Sequence, residues 1–229
     1  MAATASSAAP AVTVAVIGAT GLLGRKVVEQ GLQRGMRMRA VAPHAHESRF
    51  DPGVERYTAS DADHDELIRA FRGCDAVILV FPADIAHPER FPRQIRNVMD
   101  AVRAAGMKRL IGVVGSAGAM TAGGERLVDT DYFQETTRHY YQAVHASWDV
   151  YRHEHELDWV AFVPAARMQS HMQDRGHYRM RTDEQLVTTD PGSRRYFDVS
   201  QISYGDCARA LLDEVESRAH RRQFVTVGY

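Results

Sequence analysis

The sequence predicts an α/β protein: a single doubly wound parallel sheet with helices on both faces. Three observations predict it. Short β-branched runs alternate with amphipathic helical stretches over residues 12–114. Two of the runs, VTVAVI (12–17) and DAVILVF (75–81), are almost wholly apolar, as strands buried on both faces are. The first run stops on a glycine cluster, GATGLLG (18–24), that turns the chain directly into a helix.

Taken in order, residues 12–17 form the first strand. The helix at 22–34 offers Val27, Val28 and Leu32 to a core and stops at Gly35. The second strand is 36–42, closed by Pro43, and the third, short and alternating, is 54–59. A helix at 63–72 carries Leu67, Ile68 and Phe71 and stops at Gly73. The strand at 75–81 is broken by Pro82, the helix at 90–105 is capped by Gly106, and the strand at 109–114 ends in Gly115, Ser116, Ala117 and Gly118. Right-handed crossovers place the loops after Ile17, Ala42, Phe81 and Val114 at one sheet edge, where such sheets bind ligands.

The second half is less regular. A long polar helix at 137–155 is anchored by Tyr141, Val144 and Trp148, and a strand at 159–163 is stopped by Pro164. Residues 165–195 show no strong period, so they form a functional loop or hide short strands. A helix at 202–216 and a strand at 223–227 complete the chain. With no repeat and no linker, residues 12–229 read as one domain whose C-terminal half builds the substrate pocket. Residues 1–11 read as a disordered tail.

The 229 residues, 45% hydrophobic and 25% charged, suffice for one substantial core. A net charge of −1 gives no electrostatic case for a nucleic-acid partner. The two cysteines, Cys74 and Cys207, form neither a disulfide framework nor a metal-ligand spacing, which fits the cytoplasm. The N-terminal segment lacks the basic and apolar regions of a signal peptide, and no run of about 18 apolar residues exists to cross a membrane. The near-paired histidines, such as His153 and His155, lack a matching carboxylate or cysteine set, so no metal site is expected.

The glycine cluster carries the chemistry. Gly18, Gly21 and Gly24 recur at three-residue spacing between a strand and a helix. Such a turn lets a diphosphate approach the backbone, and the helix start offers free N–H groups and a partial positive charge. The spacing GxxGxxG differs from the commoner GxGxxG.

Beyond these motifs the chain resembles the atypical short-chain dehydrogenases. The likeness is to the bacterial NADH-flavin reductase type and, more distantly, to biliverdin/flavin reductase B and the NmrA-like proteins. The resemblance rests on VIGATGLLGRKVVEQGLQRG (16–35), GCDAVILVF (73–81), GERLVDTDYF (124–133), LDWVAFVPAARM (157–168), ISYGDCARALLDEVE (202–216) and RRQFVTVGY (221–229). It implies a Rossmann-type domain with a nicotinamide dinucleotide at the glycine turn, touching Gly18, Thr20, Gly21, Leu22, Leu23, Gly24 and Arg25. It further implies Phe81 and Pro82 beside the cofactor and Ser116 facing the nicotinamide. The same resemblance implies that the backbone of Pro164, Ala165 and Ala166 lies against that ring. Asp61, from its place after the third strand, is expected either to accept from the adenine amine or to cap the next helix, a role for which Asp63 competes.

There are departures. Where many relatives place an arginine after the second strand, this chain reads Ala42, Pro43, His44, with no acidic residue for a ribose diol. Arg25 and Arg49 are the cations that would meet a 2′-phosphate, which favours NADPH over NADH; otherwise they are solvated surface residues. Carbonyl-reducing short-chain dehydrogenases use a tyrosine and a lysine four residues later. Here Tyr140 and Tyr141 are followed by Val144 and His145. Conjugated acceptors need stacking and distance more than an acid. The expected function is therefore NAD(P)H-dependent reduction of a flavin, quinone or similar small molecule. The alternatives are a cofactor-retaining non-redox isomerase or cyclase and a non-catalytic NADP-sensing regulator. Ser116, Tyr141 and His87 are the catalytic candidates. Tyr132, His139, His171 and Tyr178 join them at the pocket rim. No nucleic-acid or membrane partner is expected, and the chain is expected as a monomer or homodimer.

Overall fold

The computed structural model describes residues 11–169 and 171–229. The expected tail at 1–11 lies, apart from Ala11, outside the described residues. The elements are β1 (Thr13–Ile17), α1 (Leu22–Gln33), β2 (Arg37–Ala42), β3 (Glu55–Thr58), α2 (His64–Phe71), β4 (Ala76–Leu79), α3 (Phe91–Ala104), β5 (Arg109–Val113), α4 (Glu135–Arg152), β6 (Asp158–Pro164), β7 (Arg167–Gln169), β8 (Arg179–Arg181), α5 (Tyr196–Val199), β9 (Gln201–Ser203), α6 (Tyr204–Ser217) and β10 (Gln223–Gly228).

Eight strands form one sheet in the order β3-β2-β1-β4-β5-β6-β10-β8. All pairings are parallel except β10 with β8. The doubly wound parallel sheet that the sequence predicts is present, with one antiparallel strand, β8, at its edge. Alternation along the strands splits the core. Val14 and Val16 face α1 and α6, among Val27, Leu211 and Cys207. Ala15 and Ile17 face α2, α3 and α4, among Leu67, Ile95 and Trp148. Side chains of opposite parity therefore bury on opposite faces, as a doubly wound sheet requires. Among the described residues no helix is long and apolar enough to cross a membrane.

The differences from expectation have local causes. The stretch 165–195 holds β7 and β8, three residues each, too short to show a period. The expected helix at 202–216 starts two residues later, because Gln201–Ser203 pairs with β7. Ser203 then caps α6, its hydroxyl accepting from the Asp206 amide at 3.0 Å. Helix α4 stops at Arg152 instead of continuing to residue 155. There the buried Glu154 carboxylate accepts the amides of Glu156 and Leu157, at 2.7 and 2.9 Å, and turns the chain into β6.

One buried network ties the C-terminal segments together. The fully buried Asp206 carboxylate accepts the Arg175 and Gly176 amides, at 2.6 and 3.0 Å, and the hydroxyls of Ser203 and Tyr229. Burial alone would raise its pKa. The Tyr229 hydroxyl, the two amides and the Ser203 hydroxyl outweigh that and hold it below the usual range. Its folded pKa lies below the unfolded one, so its stabilisation is complete above the ordinary carboxylate range. It is lost as pH falls through that range to the folded value. Asp206→Asn should cost about 2 kcal/mol at neutral pH. In urea unfolding, the gap to wild type should stay constant at neutral pH and close below about pH 4. A gap that ignores pH would contradict the assignment.

Candidate functional site

The turn after β1 is built from backbone contacts. Gly18 has φ +90°, a left-handed value, and a Cβ there would lie 2.8 Å from the Phe81 nitrogen. A Cβ on Gly24 would lie 2.2 Å from the Gly18 carbonyl oxygen. These two glycines are required by the fold. Gly21 is different: its φ is −72°, and a Cβ would make only an ordinary 3.4 Å contact. The side of Gly21 that faces solvent is left bare.

The Gly18 amide donates to Val41 O at 2.9 Å, and the Gly21 amide to Gly18 O at 3.1 Å. The first helical bond is Arg25 N–H to Gly21 O at 2.9 Å. The amides of Leu22, Leu23 and Gly24 therefore have no acceptor among the described residues, as in any uncapped first turn. No side chain caps the helix and no acid stands in its first turn. The arrangement fits the pyrophosphate of a dinucleotide, which would take these amides at close range.

Beside the turn lies a cleft of ≈ 330 Å³ at the carboxyl ends of β1, β4, β5 and β6. Leu22 and Leu23, Phe81 and Pro82, Val114 and Gly115, and Pro164 form its floor. Tyr140 and Val144 of α4, with Met168 and Tyr204, form its wall. Among the described residues, the two phenols are the lining side chains with a hydrogen-bonding group, and no charged side chain lines the cleft. Burial, then the neighbouring Tyr141, holds the Tyr140 hydroxyl above its ordinary pKa.

The sequence candidates fall into groups. Gly21, Leu22, Leu23, Phe81, Pro82 and Pro164 line the cleft. Gly18, Thr20 and Gly24 shape the turn, and the Thr20 carbonyl accepts from Arg25 Nε at 3.0 Å. Arg25 also donates to Arg49 O at 3.4 Å and lies 5.4 Å from the centre of the Phe50 ring. It thus spans from the turn to the segment after β2, with Arg49 beside it. Asp61 accepts from Gln94 at 3.0 Å and Asn97 at 3.4 Å on α3. Asp63 takes the N-cap position of α2, with its carboxylate on Ser60. Ser116 follows Gly115 and opens a 3-10 turn, just outside the lining. Ala165 is buried, and the Ala166 amide donates to Ser200 Oγ at 3.2 Å.

Other candidates lie elsewhere. Tyr141 stacks on Phe133, ring centres 3.8 Å apart, behind the cleft wall; its neighbour Tyr140 faces the cleft. His87 is exposed and pairs with Glu89 at 3.5 Å, outside the lining. His145 packs against Trp148, and burial, then Arg126 and Arg152, hold its pKa down. It stays neutral and away from the cleft. Tyr132 belongs to an aromatic cluster with Phe133, Tyr196 and Phe197, and Tyr178 donates to Asp213. His139 and His171 are exposed. Sequence reasoning missed Met168 and Tyr204, which sit on or just after three-residue strands that carry no pattern. Val144 was legible as the residue four after Tyr140.

The sequence profile of a family described as NAD(P)H-binding matches residues 18–218. The uncharacterized protein YwnB of Bacillus subtilis (strain 168) is 26% identical over 223 residues, 93% of this chain and 97% of that protein. A crystal structure of a proposed epimerase from Bacteroides thetaiotaomicron is 27% identical, with a TM-score of 0.83, covering 96% of this chain and 97% of that one. A proposed NADH-flavin reductase from Streptococcus pneumoniae TIGR4 shares the fold, with a TM-score of 0.80 at 24% identity over 95% and 99% of the two chains.

The glycines separate fold from ligand. Gly21→Ala should leave the melting curve unchanged and weaken dinucleotide binding at least about tenfold, about 1.4 kcal/mol. Gly24→Ala should destabilise by about 1–3 kcal/mol through overpacking. Calorimetric titration and thermal unfolding of both variants check this. Undiminished binding by Gly21→Ala would contradict the pyrophosphate reading of the turn.

Proposed function

The chain belongs to the NAD(P)H-binding family, and from that premise we propose that it is an NADPH-dependent reductase of a planar, conjugated small molecule such as a quinone or flavin. The observation that carries this reading is the cleft: apolar, uncharged, with a phenol that no cation activates. The reduced nicotinamide supplies a hydride when bound.

The residues divide the work. The amides of Leu22, Leu23 and Gly24 take the pyrophosphate. Arg25, held by Thr20 O and Phe50, and Arg49 take the 2′-phosphate. Asp61 retains acceptor capacity for the adenine amine. Phe81, Pro82 and Pro164 flank the nicotinamide and keep water out, and the Ser116 hydroxyl orients its carboxamide. Tyr140 hydrogen-bonds an acceptor oxygen. With Val144 in place of lysine and its own pKa raised, it is a poor proton donor to an alkoxide. A conjugated acceptor spreads the added charge and takes its proton from water, so this deficit does not stop its reduction. Phe133 backs the wall through Tyr141, and Arg138 fixes the Phe133 segment by donating to Val128 O at 2.9 Å and Phe133 O at 3.3 Å.

A second reading draws on the Bacteroides relative, proposed as an epimerase: the same cofactor kept without net redox change. Product formed with no loss of reduced-nicotinamide absorbance would mark it.

The reductase reading expects NADPH oxidation with menadione or lumiflavin and at least about 100-fold slower turnover with simple ketones, some 2.7 kcal/mol in barrier. Turnover of ketones but not of conjugated acceptors would overturn it. Arg25→Ala should raise the KM for NADPH about tenfold and leave that for NADH unchanged, the signature of a lost guanidinium–phosphate pair. Equal effects on both coenzymes would remove Arg25 from the 2′-phosphate site.

A further inference from the structure

The two phenols of the cleft reach it from opposite faces of the sheet. Tyr140 stands on α4 and packs into the layer that contains Ile95 and Val144. Tyr204 is the first residue of α6 and packs into the other layer, with Leu23, Val27 and Val28 of α1. Helix α6 lies directly on α1: Gln30 Nε2 donates to Gly205 O at 2.9 Å, and Arg34 meets Asp213 and Glu216, each at 2.7 Å. Tyr204 therefore borders the cleft on the side where Gly21, Leu22 and Leu23 open α1.

The hydroxyls of Tyr57, Tyr132, Tyr178 and Tyr229 each donate to an oxygen of the chain. That of Tyr204 has no partner among the described residues, and although the side chain is half-buried its oxygen is open, not sealed in. Burial, and then Cys207, holds this phenol above its ordinary pKa, so at neutral pH it stays protonated and can donate. Cations are scarce around it. No charged side chain lines the cleft among the described residues, and Arg25, at the turn, donates instead to Thr20 O at 3.0 Å and Arg49 O at 3.4 Å. A pyrophosphate on the Leu22 and Leu23 amides would thus meet neutral donors, and a neutral donor is worth most when its acceptor is charged and the slot is apolar.

On the premise that the glycine turn holds a nicotinamide dinucleotide, we infer that Tyr204 is a coenzyme-binding residue whose hydroxyl donates to a pyrophosphate oxygen, completing from α6 the cradle that the amides of α1 begin. The two phenols then differ in their work: the one on the α1 side of the sheet holds the coenzyme, and the one on the α4 side meets the acceptor.

The test is calorimetric titration of the full chain and of Tyr204→Phe with NADPH, NADH and ADP, which keeps the pyrophosphate and lacks the nicotinamide. Tyr204→Phe removes one unpartnered oxygen and keeps the ring, so its melting curve should match wild type. It should weaken all three ligands by a similar factor, about tenfold, as the loss of a hydrogen bond to a charged group does. In steady-state assays it should raise the KM for NADPH and leave that for menadione unchanged, a split that a merely structural role would not produce. Undiminished binding of the three ligands by Tyr204→Phe would overturn the proposal and leave the dinucleotide premise standing. Loss with NADPH and NADH but not with ADP would move the hydroxyl to the nicotinamide half, and a raised KM for menadione alone would move it to the acceptor; either overturns the proposal. Failure of the wild-type chain to bind any of the three would overturn it together with its premise.

Discussion

Helix α1 starts hard against the carbonyl of Gly18, the residue after β1, because Gly24 has no side chain to hold it off. A Cβ would come within 2.2 Å of Gly18 O, and a Cβ at Gly18 would collide with the backbone entering the β4 loop. Close approach at these points brings the unpartnered amides of the first helical turn to the edge of the sheet. The ends of β4, β5 and β6 open at the same edge. A cleft forms there because the strands diverge into separate loops after Leu79, Val113 and Pro164. The site is therefore a consequence of backbone packing before it is a set of side chains.

The side chains then limit the chemistry. An apolar slot with two phenols and no charge strengthens stacking and weakens acid catalysis. Tyr140 and Val144 stand four residues apart on one face of α4, the spacing at which a tyrosine–lysine dyad would act. Valine at the second position leaves burial as the main influence on the phenol, and burial alone makes it a weaker acid. His145, one residue further along, faces Trp148 and the Gly118 turn instead of the cleft and is kept neutral.

The first half of the fold was legible because β1, β4 and β5 lie in apolar runs closed by glycine or proline, β2 and β3 alternate as half-buried strands do, and the helices between them carry apolar stripes. The glycine turn was legible in the same way, through its place between a strand and a helix. The region after Pro164 was not. β7, β8 and β9 are three residues long, and what holds them is the pairing of β7 with β9, the pairing of β8 with β10 and the buried carboxylate of Asp206 on the turn before β8, none of which leaves a periodic trace. The adjacent tyrosines show the other limit. Position along the chain cannot separate Tyr140 from Tyr141, since one step rotates a helical side chain by about 100°. The stack on Phe133 decides that Tyr141 turns away. Asp61 could have capped α2, but Asp63 takes the N-cap position, with its carboxylate turned back to Ser60, and Asp61 is drawn to Gln94 and Asn97 on a helix some thirty residues away.

If the amides opening α1 receive the pyrophosphate of a nicotinamide dinucleotide, as proposed, a crystal grown from ligand-stripped protein and soaked in NADPH should show phosphate oxygens within hydrogen-bond distance of the Leu22 and Leu23 amides, with the nicotinamide between Phe81 and Pro164. A dinucleotide bound elsewhere, or a glycine turn that stays bare at saturating NADPH, would refute that role for the turn.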